Sequence, residues 1–141
     1  MKCALFGLGL VLLLPHSVAQ ASAPMDALDR ASACHRRGQL PCTLEQADIA
    51  LSGLDADAEP SLTREALRLR AEALARMDRT VEAKAACVEV IRADPSWRPA
   101  PDADPRVVAC FEAARDAQRR AKLPQHLDAP EWPLPEPTSM L

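Results

Sequence analysis

REALRLRAEALARMDRTVEAKAACVEVIRADPSW, from Arg64 to Trp97, is the stretch that decides the fold. Leu67, Ala71, Leu74 and Met77 follow one another at intervals of 4, 3 and 3, which gathers them on one face of a helix beginning near Ser61. From Thr80 to Ala93 a second helix places Ala83, Cys87, Val90 and Ile91 inward. Asp94-Pro95 ends it, because the residue before a proline is pushed out of the helical region. Two such helices joined by a few residues predict an antiparallel hairpin.

Working outward, the same punctuation recurs. Leu28, Ala31 and Cys34 repeat every three residues between Met25 and Arg37, and Gly38 supplies a left-handed helix stop. Leu44, Ala47, Leu51 and Leu54 then form one apolar stripe, and the loop Asp55 to Pro60 breaks it. Beyond the quoted stretch, PSWRPAPDADP holds four prolines in eleven residues and predicts a stiff, extended connector. Asp104 is placed to cap a fifth helix with Pro105 in its first turn, and Val107, Cys110, Phe111, Ala114 and Ala121 form its apolar side. There is no Tyr, no sustained alternation and no Asn-Gly turn, so no strand is predicted. The reading is all-α: antiparallel helix hairpins, about five helices, in one domain over 22–122. Residues 123–141, PQHLDAPEWPLPEPTSML after Leu123, hold five prolines without helical period and read as a disordered tail.

Residues 1–21 read as a signal peptide. One lysine, Lys2, precedes eleven apolar residues from Ala4 to Leu14, short of the ~20 needed to span a bilayer. Small-residue cleavage sites end at Ala21 and Ala23, and the second would leave Pro24 directly after the cut, so the expected mature start is near Ser22. The mature chain then holds 17 minus 1, or 16, basic residues against 20 acidic ones, and four cysteines. A mildly acidic chain is a poor ligand for nucleic-acid phosphates. Fourteen Arg to three Lys, with abundant Ala, points to a GC-rich bacterial genome and hence to a periplasmic or secreted protein.

The cysteines raise three readings. Zinc favours ligands paired at short spacing, whereas Cys34 and Cys42 are separated by seven residues and His35 projects ~100° away from Cys34 on a helix. A redox pair favours C-x-x-C at a helix start. A staple fits best: if the first two helices turn about Gly38, residues four before and four after it face each other, leaving Cys87 and Cys110 as the second pair. Closing loops of 9 and 24 residues stabilises by ~2.6 and ~3.4 kcal/mol on chain-entropy grounds. Four reduced cysteines acting as small hydrophobes are the alternative.

With its small Ala71 and Ala83, apolar Leu67, Leu74 and Val90, and terminal Pro95, the segment 64–97 resembles a tetratricopeptide repeat, a 34-residue helix hairpin. Arg70 and Cys87 depart from the pattern, residues 25–54 match it weakly, and the connector delays the fifth helix by about seven residues. Together with the signal, DPSWRPAPDADPRVVACFEAAR looks like the end of such a domain in exported Gram-negative envelope proteins. The resemblance implies a short α-solenoid that binds another envelope protein and carries no catalysis.

Candidate chemistry is sparse. Phosphate-cradling glycines, hydrolase elbows and metalloprotease motifs are absent from the sequence, and no cofactor or metal is expected. The acidic run at 55–59 lacks the glycine and closing glutamate of a calcium loop. For partner binding, Glu65, Arg68, Glu72 and Arg76 fall on one helix face, which in a tetratricopeptide hairpin lines the groove; the plainer reading is that they pair with one another. Trp132, in APEWPLPEP, is set in an extended segment suited to peptide-like docking. A structural subunit of a larger envelope assembly and a thiol-dependent enzyme are the alternatives to a binding module.

Overall fold

The computed structural model describes residues 22–122, so the expected signal and the tail with Trp132 lie outside the described residues. Five helices follow in order: α1 Ser22–Arg36, α2 Leu40–Gly53, α3 Pro60–Arg76, α4 Thr80–Ala93 and α5 Pro105–Lys122. Among the described residues there is no strand, and the all-α hairpin prediction is met. Each helix packs on the next, and α3 also touches α1 and α5. The odd-numbered helices therefore form one row and α2 and α4 the other, without contact between α2 and α4.

The two hairpins turn in the same way. After α1, Gly38 takes a left-handed φ of 71°, the Gly38 N–H donates to the His35 carbonyl and the Gln39 N–H to the Cys34 carbonyl. After α3, Asp78 takes a φ of 58°, with Asp78 donating to Ala75 and Arg79 to Leu74. Both are paired bonds that satisfy the last carbonyls of a helix. Elsewhere α3 begins at Pro60, one residue before its predicted start, using a proline where the helix needs no amide hydrogen. Asp104 caps α5 as expected: its Oδ1 accepts the Arg106 N–H at 2.9 Å.

Two core clusters meet on α3. Ala27, Leu28, Ala31, Ala47 and Ala50 pack with Ala66 and Leu69 on one side. On the other, Ala71, Leu74 and Ala75 pack with the buried faces of α4 and α5, centred on Ile91 and Phe111. The single face predicted for this helix was too narrow: Leu69 is 1 % exposed, whereas Leu67 and Met77 are only half-buried. A helix in the middle of a stack buries flanks on two sides. On α5, Val107, Phe111 and Ala114 are buried, Cys110 half-buried, and Ala121, one turn beyond the packing, is exposed.

Alanine dominates both clusters, which lets helices approach closely but buries little area per residue. The disulfides compensate. Cys34–Cys42 ties α1 to α2 and Cys87–Cys110 ties α4 to α5, with Cα separations of 5.9 and 6.2 Å, inside the range a relaxed bridge requires. The acidic loop is a turn closed on itself, in which Asp55 Oδ1 accepts the Asp57 and Ala58 N–H groups.

The connector after α4 is not extended. Asp94 Oδ1 accepts the backbone N–H groups of Ser96 and Trp97 and the Ser96 hydroxyl, which folds the chain back immediately. Trp97 then lies against Phe111, ring centroids 4.4 Å apart, and a second turn brings the Ala103 N–H to the Ala100 carbonyl. Burying one aromatic against another outweighs the preference of the prolines for an extended path.

Candidate functional site

The candidate face belongs to α3. Glu65, Arg68, Glu72 and Arg76 are all half-buried, and the first three pair with one another. Arg68 Nε and Nη2 donate to the two oxygens of Glu65 at 3.0 and 2.5 Å, and its Nη1 donates to Glu72 Oε1 at 2.8 Å. The second oxygen of Glu72 lies 3.1 Å from His35 Nε2 at the end of α1. That pair joins the first hairpin to the second across the row of odd-numbered helices.

Electrostatics follows from this chain of contacts. Burial raises the cost of charging Glu72, yet hydrogen bonding from His35 and then the Arg68 charge outweigh it, and the carboxyl sits below its ordinary value. Burial likewise opposes the charge on Arg68, but the Glu65 hydrogen bond and the Glu72 charge raise its pKa above the ordinary guanidinium value. Arg68 is thus committed to holding α3 together and is a poor candidate for contacting a partner. Arg76 differs: among the described residues it makes no ion pair, although its charge is one of those that lower the pKa of Asp104.

Opposite Arg76 runs the folded connector, and between them lies an open cleft of about 750 Å³. His35, Arg68, Glu72 and Arg76 form one wall, Trp97 to Asp104 the other, and Val107 contributes from α5. Arg98 also lines it; its Nη1 is spent on the carbonyl oxygens of Pro95, Ser96 and Trp97, with no carboxylate partner among the described residues. Of the acids lining the cleft, Glu72 pairs with Arg68 and His35, Asp104 is engaged by Arg106, and Asp102 makes no ion pair among the described residues. The Arg106 side chain and then its backbone N–H hold the Asp104 carboxyl down to about 2. The cleft therefore offers two guanidinium groups without ion pairs among the described residues, and the Asp102 carboxylate, beside an apolar strip of Trp97, Pro99 and Val107.

Sequence reasoning found the α3 wall and missed the connector wall. Trp97, one of few aromatics and embedded among prolines, was the available signal. Arg70 stands where an apolar residue is usual because it spans the back layer, its Nε 2.8 Å from Asp48 of α2 and its Nη1 3.3 Å from Glu89 of α4. Cys87 is buried and bridged to Cys110. Arg115 folds back to donate to the Trp97 carbonyl at 2.5 Å, where desolvation and then the Arg98 charge lower its pKa.

Among the described residues no three His, Cys, Asp or Glu side chains cluster to hold a metal ion, and no helix is long and apolar enough to cross a membrane. Trp132 lies outside the described residues. Compared with known proteins, the chain matches no family model, no curated protein and no solved structure.

Proposed function

We propose that this chain is an exported, non-enzymatic binding module of the bacterial envelope, tetratricopeptide-like in its hairpins, that holds a segment of another envelope protein in the cleft between α3 and the connector. The observation that carries the reading is the pair Arg76 and Arg98, two cations without ion pairs among the described residues in a cleft with an aromatic strip. Guanidinium groups in such a setting suit planar carboxylates and aromatic faces. Two disulfides fit an oxidising compartment such as the periplasm.

The test is crosslinking and affinity capture from cells expressing the chain, with Arg76→Glu/Arg98→Glu beside Arg119→Glu/Arg120→Glu as a charge-matched control. One recurrent envelope partner lost only in the first variant supports the reading. Equal capture by both variants, or none above background, overturns it. Export is checked separately by fractionation and by the mature N-terminus, expected near Ser22.

A structural-subunit reading draws on Met25 and Ile49, 47 % and 46 % exposed on the first hairpin, which a permanent neighbour would cover. A stable monomer in sedimentation would remove it. A thiol enzyme would need one of the two bridges open, and labelling of the native protein by a thiol reagent is the observation that would revive it.

A further inference from the structure

We propose that the cleft is also the seat of the chain's own acidic, proline-rich segment, residues 128–136, docked within the same molecule. The docking stands on the cleft's chemistry and on reach; only its consequence, that this segment competes with a partner for the cleft, rests on the binding-module reading.

Charge complementarity points to this occupant. Residues 123–141 contain Asp128, Glu131 and Glu136 and neither Lys nor Arg. Arg76 and Arg98 are the cleft cations without ion pairs among the described residues, outnumbering the one lining acid in the same position, Asp102, and Glu131 is the acid adjacent to Trp132. The apolar component matches as well. Trp97 is half-buried against Phe111 and lines the cleft beside Pro99, and aromatic-lined grooves favour proline-rich segments in the polyproline conformation.

Reach is sufficient. The cleft adjoins Val107 near the start of α5, and the tail leaves from Lys122 at its end, roughly 22 Å away at 1.5 Å per residue. Trp132 stands ten residues beyond Lys122, which in polyproline geometry covers roughly 31 Å. The segment can return along α5 with chain to spare. Docked there, it would shield the two cations until a partner with stronger contacts displaces it.

The experiment uses the full chain labelled for NMR, in which Trp97 and Trp132 give the only two indole signals. Docking predicts Overhauser contacts from the Trp132 indole to Trp97 and Val107 that do not change with protein concentration. Glu131→Lys, a change that lies in sequence beyond the last described helix, should abolish them and move the Trp97 indole signal. Arg76→Glu/Arg98→Glu should abolish them too, and adding Asp128→Lys/Glu131→Lys to that variant should restore them. Absence of these contacts, with a Trp97 signal indifferent to Glu131→Lys, overturns the proposal. Contacts that grow with concentration also overturn it, because they would place the tail in the cleft of a second copy. None of these readouts needs a partner, so a failed capture experiment and a failed docking are told apart.

Discussion

Asp104 acts at both ends of its side chain, capping α5 through the Arg106 N–H and gripping the Arg106 guanidinium, whose Nη1 also reaches Asp78 in the turn after α3. Asp104→Ala should therefore fray the start of α5 and loosen the connector wall, seen as faster amide exchange at Val107 and Val108 than in the native chain. The carboxyl is held at about 2 in the fold, below the ~3.9 of an unfolded aspartate. A depressed pKa gives stability that is present above the unfolded value and lost as pH falls through the folded one. Acid should thus weaken this end of the molecule between about pH 4 and 2. Glu72 contributes with the same sign, so Glu72→Gln should flatten part of the acid limb of a stability–pH curve; an unchanged limb would contradict its assigned pairing. Legibility differed between these two residues for a physical reason. The Asp104 cap is a local pattern, a side chain acting two residues on. The His35–Glu72 contact joins residues far apart in sequence, and nothing in the spacing of either announces it.

Helix ends were legible because they are written locally: Gly38 for α1, Asp94-Pro95 for α4 and Asp104-Pro105 for α5. Helix faces were legible only when one-sided. Cys87, Val90 and Ile91 of α4 are buried as the period predicts, whereas α3 adds Leu69 and Ala66 because it packs on both hairpins. Leu69→Ala should accordingly cost ~2–5 kcal/mol in urea unfolding, as a core truncation does, and a cost typical of a surface residue would refute the two-sided packing. Gly38→Ala meets no atom within 4 Å, so its cost should be the left-handed backbone alone, ~1–2 kcal/mol. The two bridges should differ in the order of their loops. Removing Cys87 and Cys110 together should cost more than removing Cys34 and Cys42, ~3.4 against ~2.6 kcal/mol from loop closure, and the reverse order in matched urea melts would count against the loop-closure account.

Over the described residues, the cleft lies where the regular pattern of hairpins stops. The odd-numbered helices supply one wall of the cleft, and the segment that delays α5 supplies the other. That wall was not legible in the sequence: four prolines predicted an extended spacer, while the Asp94 turn and the burial of Trp97 on Phe111 fold it back. Arg98 enters the site only through that fold. The most direct measurement places a photoreactive amino acid at Ala100, inside the cleft, and in a second strain at Val81, an exposed site on α4 outside it. Illumination of living cells should give one discrete adduct with an envelope protein from position 100 and not from position 81, and Arg76→Glu should abolish it. Adducts equal at the two positions, or none larger than the chain itself, would contradict the claim that this cleft binds another protein.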